Sequence, residues 1–213
     1  MITCGNRHAW DDLFPDRLVP DIIGLVLSSW QSFEQPNAND LEVPITRRFY
    51  VHLSHEKGLK RRLPFSIHCE ASEIDSSSCR EIGRIDLRLI AGHREDVYFA
   101  FECKRLNVLS KNGTRRSLAG EYVDEGMMRF VSGKYGRNLD KGGMLGYVMD
   151  GKTQDAITAV SKAIGRRAQR LCMVKVGGLS VSAVRSADHR VKETRHLVQG
   201  KLFIMHHLFL GLF

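Results

Sequence analysis

The sequence lacks the features that mark secreted, disulfide-stapled and membrane-spanning proteins. Its five cysteines, Cys4, Cys69, Cys79, Cys103 and Cys172, are odd in number, scattered and without a CxxC pair. A disulfide framework or a zinc knuckle is therefore not expected. The N-terminus has no basic-then-apolar signal pattern, and the longest apolar runs, 21–30 and 203–213, are too short to cross a bilayer. These absences predict a soluble protein of the reducing cytoplasm.

Acidic residues are also in short supply relative to basic ones. The 213 residues include 32 Lys and Arg against 24 Asp and Glu, which gives a net charge of +8 and a pI near 9.4. This surplus favours a polyanionic partner, nucleic acid first and an anionic membrane surface second. Hydrophobic residues make up 43%, enough to bury a sizeable core, and no internal repeat or low-complexity tract interrupts them.

Hydrophobic periodicity predicts an α/β protein. Helices are predicted over 21–33, 41–55, 118–133 and 153–171, and strands over 64–74, 84–90, 96–104, 142–151, 172–177 and 201–210. The five-residue connection 91–95 predicts that the second and third strands form an antiparallel hairpin. We expect one domain over 1–213, with an N-terminal extension (1–40), a core (41–150) and a C-terminal helix with strands (151–213).

The third strand ends in an unusual way. Residues 96–107, D-V-Y-F-A-F-E-C-K-R-L-N, deliver Glu102 and Lys104 at the end of an apolar run. Side chains at i and i+2 of a strand share a face, so these two groups point the same way. Asp86 interrupts the apolar pattern of the preceding strand, and in a hairpin it can lie across from Glu102. The pattern predicts two carboxylates and an ammonium close together.

Such a cluster suits metal-assisted hydrolysis. Carboxylate oxygens are the ligands that Mg²⁺ or Mn²⁺ takes, often one or two of them together with substrate phosphate. A bound metal lowers the pKa of a water, and a neighbouring lysine positions that water or neutralises developing charge. Metal and lysine together also reduce the repulsion between the carboxylates.

The pattern I-D86-L, fifteen residues, then E102-C-K104 on the next strand resembles the PD-(D/E)xK, or restriction-endonuclease-like, nuclease superfamily. The resemblance implies an αβββαβ core with a mixed central sheet flanked by helices, and Mg²⁺-dependent cleavage of DNA. It implies that Asp86 and Glu102 bind the metal and that Lys104 assists the attacking water. Ile85 stands where the family often has proline, a departure that removes none of this chemistry.

The same resemblance suggests further residues. An acidic residue on the first core helix often adds a metal ligand, which makes Glu42 the candidate and Glu70, on the first strand, the second choice. The stretch 121–136 followed by 142–151 is similar to segments of small nuclease components of bacterial anti-phage systems, which implies a partner protein that gives targeting or activation. Candidate phosphate contacts lie in the basic loop 105–116 and the helix after it: Lys111, Arg115, Arg116, Arg129 and Lys134.

Two other interpretations remain open at this stage. The stretch from Gly146 to Thr153 matches the Walker A spacing GxxxxGK[ST], but its inner residues read as a strand and no strand precedes the first glycine. A strand, a turn and a helix start explain it better than a nucleotide-binding loop. The cluster could also belong to a non-catalytic nucleic-acid-binding or scaffolding subunit.

Overall fold

The structure is a computed structural model that describes residues 13–59, 63–74, 78–110, 112–135 and 139–213. Two helices come first, and three long strands follow them: α1 (Val19–Ser32), α2 (Glu42–Leu59), β1 (Phe65–Ile74), β2 (Glu81–Ala91) and β3 (Tyr98–Leu106). A short hairpin leads from β3 into a second helical segment: β4 (Val108–Leu109), β5 (Arg115–Arg116), α3 (Ala119–Glu121), a π-helical turn (Tyr122–Met127) and α4 (Met128–Val131).

The remaining chain adds one helix and four strands: β6 (Lys141–Val148), α5 (Thr153–Arg166), β7 (Ser180–Val181), β8 (Val191–Val198) and β9 (Lys201–Gly211). Seven strands form one sheet in the order β1-β2-β3-β6-β9-β8-β7. The pairs β3–β6 and β6–β9 are parallel, and the other neighbours are antiparallel. The predicted α/β class with a mixed central sheet is therefore confirmed.

Helices cover both faces of the sheet and create two hydrophobic cores. One core lies under α1 and α2, and the other lies under α4 and α5. Strand β3 contributes to both, because its side chains alternate as predicted. Phe99, Phe101 and Cys103 enter the α1/α2 core, while Tyr98 and Ala100 enter the α4/α5 core. A strand buried on both faces gives the residues at its end a rigid support.

Most predicted elements are confirmed with small changes of boundary. The helices predicted over 21–33, 41–55 and 118–133 are α1, α2 and the α3–α4 segment. The strands predicted over 64–74, 84–90, 96–104, 142–151 and 201–210 are β1, β2, β3, β6 and β9. The hairpin of β2 and β3 is antiparallel, with Ile90 opposite Tyr98 and Leu87 opposite Phe101. Strands from the predicted core and from the predicted C-terminal segment share the sheet, and α1 packs on it.

The prediction was wrong after α5. The expected strand over 172–177 is a series of turns and bends with one isolated bridge, between Met173 and His196. Helix α5 ends at Arg166 rather than near 171, and strands β7 and β8 were not predicted. The reason for missing β8 lies in its inward-facing residues, because Glu193, Thr194 and His196 are polar and buried. Such residues hide the apolar alternation by which a strand is identified.

The buried polar side chains of β8 are satisfied by hydrogen bonds. Thr194 Oγ1 lies 2.7 Å from His196 Nε2 and 2.9 Å from His207 Nε2. His207 Nδ1 lies 2.9 Å from the Tyr122 hydroxyl, and the His196 Nδ1–H donates to the Leu171 carbonyl at 2.7 Å. These hydrogen bonds join β8, β9 and the π-helical turn inside the α4/α5 core. They offset the free-energy cost of burying the polar atoms.

No helix among the described residues is both long enough and apolar enough to cross a membrane.

Gly143 of β6 gives a direct test of how closely the sheet packs. A Cβ at this position would lie 2.3 Å from Phe101 Cε1, whereas a Cβ at Gly58 in α2 would meet nothing within 4 Å. We expect Gly143→Ala to lower the free energy of unfolding by about 1–3 kcal/mol through overpacking. The matched variant Gly58→Ala should raise it by about 0.5–1 kcal/mol through helix propensity. Urea denaturation measures both, and equal shifts of the same sign would contradict this packing.

Candidate active site

Strands β2 and β3 separate at the position of the candidate carboxylates. Their backbone pairing ends with Leu87 opposite Phe101, one residue before Asp86 would face Glu102. Beyond that point the Asp86 carboxylate takes the place of a backbone acceptor, because its Oδ2 accepts a hydrogen bond from the Cys103 N–H at 2.7 Å. Asp86 is thereby tied to β3 by its side chain rather than by the sheet ladder.

The backbone of β1 is also irregular beside Asp86. The register passes from Cys69–Leu87 to Ala71–Ile85 without a pair between Glu70 and Asp86, and Glu70 has a φ of 51°. Its carboxylate forms an exposed ion pair with Arg47 at 2.6 Å. Glu70 is therefore directed to α2 and away from the Lys104 ammonium.

Lys104 is the centre of the cluster. Its Nζ donates to Glu102 Oε1 at 2.8 Å, to Glu42 Oε1 at 2.9 Å and to the Cys103 carbonyl at 3.1 Å. Glu42 is the first residue of α2, and its second oxygen accepts the Arg105 N–H at 3.1 Å. Glu102 and Lys104 share a face of β3, as predicted from their spacing, and the start of α2 brings Glu42 to the same ammonium.

Two further side chains hold Glu102, which is only 1% exposed. The Tyr135 hydroxyl lies 2.5 Å from Glu102 Oε2, and Arg129 Nε lies 3.3 Å from Oε1. Arg129 was predicted as a phosphate contact, but its guanidinium is engaged within this cluster. Tyr135 was not predicted at all. It follows α4 through a turn, and nothing in the sequence distinguishes it from an ordinary core tyrosine.

Burial raises the pKa values of two carboxyl groups of the cluster. Burial raises the pKa of the Asp86 carboxyl to about 7, and the charge of Glu102 adds to this rise. Burial also raises the pKa of Glu102, although Lys104, Tyr135 and Arg129 oppose the rise. Burial lowers the pKa of Lys104, but Glu102 and Glu42 outweigh burial and lift that pKa above its usual value. Lys104 therefore stays an ammonium at neutral pH.

Asp86 and Glu102 offer carboxylate oxygens, the type of ligand that hard divalent cations take. A positive charge near them would lower their raised pKa values and favour the ionised carboxylates. In the part of the chain that the structure describes, no group of three or more His, Cys, Asp or Glu side chains is arranged to hold a metal ion. The Lys104 ammonium bonds both Glu42 and Glu102. The charge of Glu102 contributes to the raised pKa of Asp86, so these two carboxyl groups lie near each other.

The predicted phosphate contacts are scattered over the surface. Lys111 lies outside the described residues. Arg115 pairs with Asp150 at 2.9 Å and with Asp155 at 3.1 Å, so it fastens the β4–β5 hairpin to α5. Arg116 forms an exposed pair with Glu121, and Lys134 is exposed with its aliphatic stem beside Gly83. Of the predicted set that is described, Arg129 is the one that joins the carboxylate cluster.

The Walker A spacing does not form a phosphate-binding loop. Gly146, Tyr147 and Val148 lie in β6, where they pair with residues of both β3 and β9. Their backbone groups face neighbouring strands, whereas a P-loop directs N–H groups at phosphates. Helix α5 begins at Thr153, as predicted, but no side chain caps it, and Asp150 instead accepts the Lys152 N–H at 3.0 Å. The strand-and-turn interpretation is the one that fits.

No protein-family model matches the chain, and no match was found among curated proteins or solved structures.

The raised pKa of Asp86 predicts a specific dependence of stability on pH. The folded chain keeps the Asp86 proton up to about pH 7, whereas an unfolded Asp loses it near pH 4. The wild-type chain therefore loses stability as pH rises between these values. Asp86→Asn keeps an oxygen for the Cys103 N–H and removes the charge. In metal-free buffer we expect this variant to be more stable than wild type at pH 8, by a few kcal/mol at most, and to show no such gain at pH 4.

Asp96→Asn is the matched control for this measurement. Asp96 is exposed, and its hydrogen bond with Arg94 lowers the pKa of its carboxyl. Loss of this charge should give no gain at pH 8. Urea unfolding at both pH values makes the comparison, and a gain for Asp86→Asn that is equal at pH 4 and pH 8 would rule out the raised pKa.

Proposed function

We propose that the chain is a metal-dependent nuclease that hydrolyses DNA phosphodiester bonds. Asp86 and Glu102 would hold Mg²⁺ or Mn²⁺, and Lys104 would act on the attacking water. The observation that carries this proposal is the placement of the Glu102 carboxylate and the Lys104 ammonium on one face of β3, with the Asp86 carboxylate bonded to the Cys103 N–H between them. The succession α2, β1, β2, β3, α3–α4, β6 also agrees with the order expected of a restriction-endonuclease-like core.

The contacts of Lys104 indicate which role it can take. Three acceptors hold the ammonium, and its pKa is raised, so it does not serve as a proton acceptor at neutral pH. All three of its N–H groups are engaged, so it can orient a water only when one of these acceptors is exchanged, whereas its charge can stabilise negative charge that develops on a phosphate. A bound divalent cation would lower the pKa of that water and neutralise phosphate charge.

DNA is the proposed substrate because of the basic surplus of +8. Contacts with the phosphate backbone would provide affinity that does not depend on sequence and that falls as salt rises. The exposed Lys134, in the turns after α4, is a candidate for such a contact. A partner protein that supplies targeting or activation, within a bacterial anti-phage defence complex, belongs to the same proposal and rests on the resemblance of 121–136.

A second candidate is a non-catalytic nucleic-acid-binding or scaffolding subunit. The observation that favours it is the pairing of Lys104 with both Glu42 and Glu102, which satisfies these carboxylates without a metal. A cluster of this kind can remain as a structural ion pair inside a chain that binds nucleic acid without cutting it.

Cleavage of supercoiled plasmid in Mn²⁺ tests the catalytic assignment. We expect Lys104→Ala and Asp86→Ala each to lower the cleavage rate by at least about 100-fold, because the first removes a cation that would stabilise the reacting phosphate and the second removes a metal ligand. Lys152→Ala is the matched control, since Lys152 is an exposed lysine of the Walker-like stretch and its loss should leave cleavage unchanged. Cleavage that survives both Asp86→Ala and Lys104→Ala would end the assignment.

DNA binding measured across a salt series separates the two candidates. Both predict that log K falls as log salt rises. The nuclease predicts that Asp86→Ala keeps binding DNA while it no longer cuts. A wild-type chain that binds DNA and does not cut it in Mg²⁺ or Mn²⁺, alone or with cell extract as a source of partner, would favour the non-catalytic subunit.

A further inference from the structure

Beyond Phe101, the edge of β3 that faces β2 carries backbone N–H groups that β2 no longer pairs. N–H groups two residues apart in a strand point to the same side, so those of Cys103 and Arg105 both face the gap. The Cys103 N–H donates to Asp86 Oδ2 at 2.7 Å, and the Arg105 N–H donates to Glu42 Oε2 at 3.1 Å. Side-chain carboxylates thus take the place of the missing strand.

The Lys104 ammonium adds a charged donor beside the Arg105 N–H. Glu42 Oε1 accepts from Lys104 Nζ at 2.9 Å, so two separate donors hold the two oxygens of one carboxylate. Glu42 is also the first residue of α2, and the N-terminus of an 18-residue helix carries partial positive charge. We refer to Lys104 Nζ and the Arg105 N–H as the anion cradle. An ammonium, a backbone N–H and a helix start therefore converge on one anionic group.

The two carboxylates that Lys104 contacts are held very differently. The Glu102 side chain is 1% exposed and also contacts Tyr135 and Arg129, so it would have to leave several buried partners at once. The Glu42 side chain is 29% exposed. Water can solvate the Glu42 carboxylate when it leaves the cradle, which keeps the cost of its departure low. Glu42 is therefore the exchangeable partner of Lys104.

We propose that Glu42 occupies a phosphate-binding site, and that a phosphate of a nucleic-acid backbone enters the anion cradle by displacing it. Lysines, backbone N–H groups and helix N-termini are the donors that proteins offer to phosphates. In this exchange Lys104 keeps Glu102 and trades Glu42 for a phosphate oxygen. Glu42 thereby keeps the site closed until a phosphate arrives. The inference rests on the proposed function only for the source of that phosphate.

Binding of inorganic phosphate to the full chain in EDTA tests the cradle without metal or cleavage. Glu42→Gln removes the charge of the occupant, and its amide has one acceptor oxygen where the carboxylate has two. We expect the phosphate affinity to rise about 10-fold over wild type, because a like charge no longer competes for the donors. The Arg105 amide resonance should shift at correspondingly lower phosphate concentrations.

A second titration, with a short oligothymidylate in the same buffer, distinguishes a nucleic-acid backbone from free phosphate. Its affinity should also rise for Glu42→Gln. A gain confined to inorganic phosphate would overturn the nucleic-acid backbone as the ligand.

Glu70→Gln is the matched control. It also removes one carboxylate and frees one cation, because Glu70 pairs with the exposed Arg47 of α2 at 2.6 Å. It should leave the phosphate affinity unchanged, whereas adding Lys104→Met to Glu42→Gln should abolish the gain. Thermal unfolding shows whether the variants remain folded. If Glu42→Gln does not fold, Glu42→Asp, whose shorter side chain reaches the two donors less well, should raise the phosphate affinity in the same direction.

The outcomes separate the inference from the proposed function. A phosphate affinity of Glu42→Gln at or below that of wild type would overturn the cradle, and so would a gain that Glu70→Gln reproduces. Weaker plasmid cleavage by Glu42→Gln with unchanged phosphate affinity would overturn the cradle and support the nuclease. Tighter phosphate binding by Glu42→Gln in a chain that never cuts DNA would support the cradle and overturn the nuclease.

Discussion

The ion pair between Lys104 and Glu102 is the interaction on which the centre of this structure depends. Both side chains are buried, and a buried charge is tolerated only when it is paired and hydrogen-bonded. Each neighbour supplies part of that requirement. Glu42 and the Cys103 carbonyl accept from the ammonium, while Tyr135 and Arg129 lie against the carboxylate. The start of α2, the end of α4 and the divergence of β2 from β3 are therefore arranged around one charged contact.

The sheet around the Lys104–Glu102 ion pair is closely packed and rigid. Strand β3 is covered on both faces, and its parallel neighbour β6 packs so closely that Gly143 leaves no room for a Cβ beside the Phe101 ring. A Cβ on Gly126 of the π-helical turn would collide with Met144 Cε and would lie 3.4 Å from Lys104 Cγ. Small residues at these points allow the helical segment and the neighbouring strand to approach the lysine stem. Packing around the aliphatic stem thus adds to the hydrogen bonds that hold Lys104.

Local periodicity was enough to predict the part of the site that lies on one hairpin. The i, i+2 spacing placed Glu102 and Lys104 on one face, and the short connection after β2 brought Asp86 to their side. Tyr135 joins Glu102 across 33 residues of sequence, through a turn that no periodic pattern describes. Strand β8 was not predicted for a related reason. Its Thr194 and His196 side chains are polar but buried, and the hydrogen bonds that satisfy them cannot be read from the sequence. Tertiary contacts decide such positions.

Cys103 stands between Glu102 and Lys104 in sequence, but its thiol enters the opposite core. Burial raises its pKa well above the usual value, so almost no thiolate forms and reagents have no path to it. Cys79 and Cys172, in contrast, are exposed. Oxidants and alkylating agents will therefore consume the surface thiols first. The Cys103 thiol, on the strand that carries Glu102 and Lys104, is thus protected, and a maleimide dye would label Cys79 and Cys172 before it.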